Sequence, residues 1–182
     1  MKKKLAVLSV VVGALAYLYM VVTTAMGTGE GLSLTTFGLW SALAWITGFT
    51  TLKQKANPAV PMIYGAGATA TTLVLLYKGR YGWSGFDTMI AVLVGLCILL
   101  WLTKGSKWAL VLSVAAAVIA AVPFVAMTWK VPANSPIIPN SGFLLANILS
   151  FASAKAWTLE ERLYSGVNMI VCSLLVIPWI LS

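Results

Sequence analysis

The chain has 182 residues, of which 60% are hydrophobic and only 9% are charged, and its mean hydropathy is +0.96. Soluble domains carry roughly a quarter charged residues, so this composition excludes a water-soluble fold and indicates one helical membrane domain, residues 1–182. The net charge of +8 does not indicate a nucleic-acid partner, because the basic residues lie singly or in short groups between apolar runs. That distribution is typical of the loops of membrane proteins.

Seven apolar segments are long enough to be considered as membrane helices, for which about 17–25 residues are needed. They span residues 5–26, 33–52, 61–78, 85–103, 108–128, 141–156 and 159–181. The first is longer than the ~7–15 apolar residues of a signal peptide, so we expect it to be the first membrane helix. The pattern predicts an all-α polytopic membrane protein with seven transmembrane helices.

Local signals mark where these helices begin and end. Residues 131–141 hold three prolines, so this loop is not expected to be regular helix throughout. Two helix starts have the spacing of a capping box, in which a hydroxyl and a carboxylate three residues later bond each other's backbone N–H. They are Ser84 with Asp87 and Thr158 with Glu161.

The lysines and arginines predict that the N-terminus lies in the cytoplasm and the C-terminus outside, because basic residues favour cytoplasmic loops. With that orientation nine basic positions are inside and three are outside. The nine are Lys2, Lys3, Lys4, Lys53, Lys55, Lys104, Lys107, Lys155 and Arg162, and the three are Lys78, Arg80 and Lys130. We therefore expect an integral protein of the bacterial cytoplasmic membrane.

A short repeat indicates an internal duplication. Val7-Leu8-Ser9-Val10 recurs as Val111-Leu112-Ser113-Val114, 104 positions later. The same offset gives nine identities when it is carried through residues 5–46. Four helices separate the copies, and an even number makes the two copies run in the same direction.

The repeat predicts two parallel three-helix bundles, residues 5–78 and 108–181, joined by a linker helix at 85–103. An alternative offset of 74 pairs residues 83–87 with 157–161 and would make helices 2–4 and 5–7 an inverted pair. These matching residues are ones that recur at helix ends for local reasons, so the parallel arrangement is favoured.

Short motifs in the second half of the chain resemble those of the PQ-loop superfamily, which includes the SWEET and SemiSWEET sugar transporters. They are Gly85-Phe86-Asp87, Leu100-Trp101-Leu102-Thr103, Ala120-Ala121-Val122-Pro123, Trp129-Lys130-Val131-Pro132 and Ala156-Trp157-Thr158-Leu159-Glu160-Glu161. The sequence has no Pro-Gln dipeptide. The resemblance implies a small bacterial seven-helix protein with a three-plus-one-plus-three fold that transports a sugar-like solute.

Polar residues within the apolar segments are the candidate solute-binding residues. Asn147 lies in helix 6 and Asn168 in helix 7, and an unpaired amide is costly in hydrocarbon. Either both face a cavity and bind a neutral solute, or they join helices 6 and 7. Trp40 and Tyr64 are candidates for stacking on a solute, with lipid contact or core packing as the alternatives. Trp45 lies five residues after Trp40 and must face another side of the helix.

Pro123 interrupts helix 5 and is predicted to be either a hinge between the bundles or a fixed kink. The acidic residues lie near helix ends, so no proton relay is predicted. They are Glu30, Asp87, Glu160 and Glu161. Cys97 and Cys172 lie in apolar runs, where buried thiols are more typical than a disulfide. With no histidine, neither a metal nor a cofactor is expected.

These patterns predict a facilitative transporter of a small, neutral, polar solute, working by alternating access between the two bundles. The alternative is a non-transporting subunit of a membrane complex or a homo-oligomer. We do not expect an enzyme, because the chain lacks the residue patterns of a catalytic site. The expected partners are the lipid bilayer, a small solute and, in the alternative, a second copy.

Overall fold

The computed structural model describes residues 1–27, 32–79 and 83–182, apart from the side chain of Asn134. Those residues form seven α-helices and one short 3-10 helix, Pro132–Asn134, which confirms the predicted all-α class. The α-helices are α1 (Lys2–Met26), α2 (Leu34–Lys53), α3 (Ala59–Tyr77), α4 (Gly85–Thr103), α5 (Ser106–Lys130), α6 (Ile137–Ser153) and α7 (Leu159–Leu181). The predicted positions Glu30 and Arg80 lie outside the described residues.

Five of the seven helices, α1, α3, α4, α5 and α7, are long and apolar enough to cross a membrane. The other two differ for separate reasons. The helix α6 has only 17 residues. The helix α2 is long enough but carries several hydroxyl side chains, four of which are buried, namely those of Ser41, Thr47, Thr50 and Thr51. Thr47 and Thr50 each donate to the carbonyl four residues earlier, at 2.8 and 2.7 Å, so their polarity is satisfied within the helix.

Helix ends follow the predicted signals at some joints and not at others. The capping box of Ser84 and Asp87 is present at the start of α4. Thr158 is the N-cap of α7 but makes no side-chain capping bond. The carboxylate of Glu161 instead accepts from the backbone N–H of Lys155 at 3.4 Å. The predicted capping box at this second position was therefore wrong.

The helix α6 begins at Ile137, four residues before its predicted start. Pro139 lies in its first turn, where the backbone N–H has no partner within the helix in any case. A proline at this position therefore costs little, and the proline-rich loop is shorter than the sequence suggested.

The packing of the helices follows the same pattern in each half of the chain. In the first half α3 lies between α1 and α2, and in the second half α7 lies between α5 and α6. The two halves meet where α1 packs against α6 and where α2 packs against α5. The helix α4 packs on α5 and α2.

One end of the molecule collects most of the basic residues. The Lys2 ammonium donates to the Lys155 carbonyl at the end of α6, and Lys107 at the start of α5 pairs with Glu160 at the start of α7. The Lys53 ammonium at the end of α2 lies 5.0 Å from the ring of Trp101 at the end of α4. We call this the basic end. The opposite end holds the starts of α2, α4 and α6.

Candidate functional site

A cavity of about 90 Å³ lies between the two halves of the chain, with room for several water molecules. Side chains from α1, α2, α3, α5, α6 and α7 line it, and none of the lining residues belongs to α4. No lining side chain is charged. The polar or amphipathic lining residues are Tyr17, Trp40, Thr47, Tyr64, Asn140, Tyr164 and Asn168. The other lining residues are aliphatic or aromatic, apart from Met20 and Cys172.

Three tyrosines form one wall of this cavity. The ring of Tyr64 lies edge-on to those of Tyr17 and Tyr164, with centroids 5.3 and 6.0 Å away. Glycines make room for two of these rings. An added Cβ at Gly67 would lie 2.1 Å from Tyr17 Cγ, and one at Gly13 would lie 3.2 Å from Tyr64 Cε1. The small residues that the sequence shows in α1 and α3 thus admit large side chains to the interior.

The hydroxyl of Tyr64 is held from both sides. Its O–H donates to the Phe143 carbonyl at 3.1 Å, and its oxygen accepts from Asn147 Nδ2 at 2.8 Å. The same Nδ2 also donates to the Phe143 carbonyl at 2.8 Å. These bonds join α3 to α6 across the two halves, so the orientation of Tyr64 in the cavity depends on Asn147.

The four predicted solute-binding residues occupy different places. Trp40, Tyr64 and Asn168 line the cavity together, although they come from three separate helices. Asn147 does not line it: the side chain is fully buried and bonded to Tyr64. Trp45 faces away, and its indole N–H donates to Thr69 at 3.1 Å. Sequence spacing separated Trp40 from Trp45, but it gave no way to distinguish the two asparagines.

Trp40 and Asn168 in the lining have unused hydrogen-bonding capacity. The indole Nε1–H of Trp40 is buried and has no acceptor among the residues that the structure describes. The Asn168 amide donates to the Tyr164 carbonyl at 2.9 Å, and no described group donates to its Oδ1. A buried polar group without a partner costs about 1–3 kcal/mol. A ligand or water in the cavity would remove that cost.

Sequence reasoning missed Asn140 and Thr47 as lining residues. Asn140 is buried and donates to Ser135 Oγ at 3.2 Å. It had been placed in a loop, because the predicted start of the sixth helix came one residue after it. Its spacing of seven residues from Asn147 puts both on one face of a helix, which is the signal that could have identified it.

Different side chains lie towards the two ends of the cavity. Towards the basic end, Thr47 of α2 and Ser113 of α5 are hydrogen-bonded at 2.9 Å and fully buried. Gln54 and Ser106 make a second contact between the same helices. Ser113 belongs to the second copy of the four-residue repeat, so the repeat contributes to the seam between α2 and α5.

Towards the opposite end, three aromatic side chains separate the cavity from a second one of about 200 Å³, which we call the vestibule. Phe37, Trp40 and Phe124 line both spaces. The ring of Trp40 lies 5.5 Å from that of Phe37 and 6.1 Å from that of Phe124, edge-on in both cases. The remaining vestibule residues are Leu32, Ser33, Thr36, Ala120, Pro123 and Met127.

Pro123, the predicted hinge, therefore faces the vestibule and not the central cavity. The helix α5 is continuous through it, from Ser106 to Lys130. The described residues contain no group of three or more His, Cys, Asp or Glu side chains that could hold a metal ion. Cys97 and Cys172 are both buried and unpaired. The chain matches no protein-family model, no curated protein and no solved structure.

Proposed function

We propose that the chain is a facilitative transporter of a small, neutral, polar solute, and that the central cavity is its binding site. The observation that carries this proposal is an uncharged cavity in which the buried Trp40 N–H has no partner among the described residues. An ion would need a charged partner or several oxygen ligands to offset its desolvation. A hydroxyl-bearing solute needs only neutral donors, acceptors and aromatic faces, and the lining supplies all three.

The proposed route runs along the seam between the two halves. Opening α2 from α5 at the basic end would break the hydrogen bond between Thr47 and Ser113. Closing the vestibule would bring Phe37 and Phe124 together over Trp40. In the proposed orientation, with the basic end in the cytoplasm of a bacterium, the vestibule faces outward. Pro123 is proposed as the hinge because it interrupts the hydrogen bonding of α5 beside the vestibule.

The proposal includes two parallel three-helix repeats joined by α4, with all seven helices crossing the membrane. The packing supports it, because exchanging α1, α2 and α3 for α5, α6 and α7 leaves the pattern of extensive contacts among these six helices unchanged. Tyr64 and Asn168 add support, since they are 104 positions apart and both line the cavity. The inverted alternative would require close packing of α5 with α6 to match that of α2 with α3. No such extensive contact occurs among the described residues. The likeness to the PQ-loop superfamily remains a proposal based on the sequence motifs.

Solute flux into proteoliposomes tests the proposal. A panel of radiolabelled sugars and polyols should include at least one compound that enters faster than into protein-free vesicles, whereas a sugar acid of the same size should not. Trp40→Phe keeps an aromatic ring and removes the unpaired N–H. One lost hydrogen bond of about 0.5–1.5 kcal/mol corresponds to a rise of roughly 2- to 12-fold in the half-saturating concentration.

Trp45→Phe is the matched control, because it makes the same change on the same helix but its N–H bonds Thr69 outside the cavity. Asn168→Ala should also raise the half-saturating concentration, as Trp40→Phe does. Unchanged flux in both cavity variants would remove these residues from the mechanism. Absence of flux for every solute would favour the alternative of a non-transporting subunit.

A further inference from the structure

The turn between α6 and α7 lies beside the start of α1 and concentrates basic side chains. Lys2 and Lys155 are 153 positions apart, yet the Lys2 ammonium donates to the Lys155 carbonyl at 3.3 Å. Both lysine side chains are exposed. Arg162 lies one turn into α7, and its Nε–H donates to the Ala156 carbonyl of the same turn at 3.3 Å. We call Lys2, Lys155, Trp157 and Arg162 the basic turn.

The guanidinium of Arg162 is fixed in position by two aromatic rings. Its central carbon lies 3.7 Å from the ring centroid of Trp157 and 4.6 Å from that of Phe151. Stacking and the Nε bond restrict the side chain while leaving the two terminal nitrogens without a partner among the described residues. A pre-oriented guanidinium fork of this kind matches the oxygens of a phosphate group.

The nearby carboxylates offset only part of the positive charge of this cluster, since Glu161 alone lies beside its three cations without a cation of its own. Glu160 pairs with Lys107 at 3.4 Å, and Glu161 accepts from the backbone N–H of Lys155 at 3.4 Å. The side chains of Lys2, Lys155 and Arg162 form no ion pair in the described structure. The basic turn thus keeps an excess of positive charge, and adjacent Lys3 and Lys4 add to it.

The position of the basic turn favours the phosphate of a lipid over a soluble phosphate. Trp157 is 84% exposed, and a tryptophan at the end of a membrane helix lies at the level of the lipid headgroups. Leu159 is also exposed beside it, so the basic group borders an apolar surface that acyl chains can cover. A soluble phosphate would use only the charged part of this surface.

The geometry points to a binding site for the phosphate of an anionic phospholipid, formed by Arg162 and Lys155 with Lys2, and bordered by Trp157. The site lies at the surface of the basic end, separate from the central cavity. It does not depend on the proposed transport function.

Native mass spectrometry of the purified full chain tests this site. The protein is released from micelles containing equal amounts of phosphatidylglycerol and phosphatidylcholine, and the bound lipid is counted. The wild type should retain more phosphatidylglycerol than phosphatidylcholine. Arg162→Gln and Lys155→Gln should each reduce that retention about fivefold, since one cation near the surface contributes about 1 kcal/mol. Arg162→Lys should retain an amount of phosphatidylglycerol between those of the wild type and Arg162→Gln, because it keeps the charge but loses the guanidinium fork.

Lys104→Gln is the matched control, because it removes an exposed cation from the same end of the molecule but outside the turn. Equal losses in Lys104→Gln and Arg162→Gln would overturn the site in favour of general attraction. Equal retention of the two lipids by wild type would also overturn it. Displacement of the lipid by millimolar glycerol phosphate would show a site for soluble phosphate instead. Lys155→Gln alters an exposed side chain, so it keeps the test decisive if Arg162→Gln fails to fold.

Discussion

The hydrogen bond between Asn147 and Tyr64 is predicted to stabilise the contact between the two halves, and a double-mutant cycle measures it. Asn147→Ala removes the Nδ2 donor, and Tyr64→Phe removes only the hydroxyl that accepts from it at 2.8 Å. The bonds of each group to the Phe143 carbonyl belong to the single variants and cancel in the cycle. The coupling energy therefore reports the bond between Asn147 and Tyr64, which is one of the two that join α3 to α6.

Hydrogen bonds between membrane helices average about 0.6 kcal/mol and reach about 1.7 kcal/mol. Asn147 is fully buried and does not line the cavity, so cavity water does not take the place of its lost partner. We therefore expect a coupling of about 1 kcal/mol, in the upper part of that range. The free energy of unfolding of the wild type, both single variants and the double variant is measured by titration with sodium dodecyl sulfate in mixed micelles.

Tyr17→Phe combined with Asn147→Ala is the control cycle. The ring of Tyr17 packs against that of Tyr64, but its hydroxyl makes no hydrogen bond to Asn147. Variants without a shared partner are additive within about 0.3–0.5 kcal/mol, so this cycle should show no larger coupling. The reasoning fails if the Tyr64 cycle also stays within that limit, or if the two cycles give the same value.

Two further pairs of variants test the packing and the helix ends by the same unfolding measurement. Gly67→Ala should destabilise the fold by about 1–3 kcal/mol through overpacking against Tyr17. Gly95→Ala is the control and should be neutral or stabilising, because nothing lies within 4 Å of an added Cβ there. Equal effects of the two variants would contradict the close approach of Tyr17 to Gly67. Ser84→Ala should lower the free energy of unfolding by about 1 kcal/mol, because it removes a helix cap. Thr158→Ala should lower it clearly less, because the Thr158 side chain makes no capping bond. A larger loss in Thr158→Ala than in Ser84→Ala would show that Thr158 does cap α7.

The sequence predicted the helices well where the physical signal was local. The start of α4 depended on Ser84 and Asp87, three residues apart, and the structure has that capping box. The same spacing at Thr158 failed because a backbone N–H from the preceding turn, that of Lys155, competes for the Glu161 carboxylate. The start of α6 was placed too late because Pro139 was treated as a helix breaker, although the first turn tolerates it.

The candidate site was less predictable, because its residues come from six helices. Trp40, Tyr64 and Asn168 were all expected to bind solute, and all three line the cavity. Asn147 was given the same role on the same grounds, since an amide within a membrane helix needs a partner. Only the positions of neighbouring helices decide whether that partner is a solute or, as for Asn147, another side chain.

Composition alone indicated a membrane protein, because a fold of 182 residues in water cannot bury 60% hydrophobic residues, and five helices of the structure are long and apolar enough to cross a membrane. Periodic breaks in the apolar pattern determined the seven helices, because helix formation and helix ends depend on neighbours within a few positions. The tertiary structure decided which polar groups meet and which remain without partners. Thr47 and Ser113 are 66 positions apart, and their bond exists only because α2 packs against α5. The unpaired N–H of Trp40 likewise follows from where six helices leave a space.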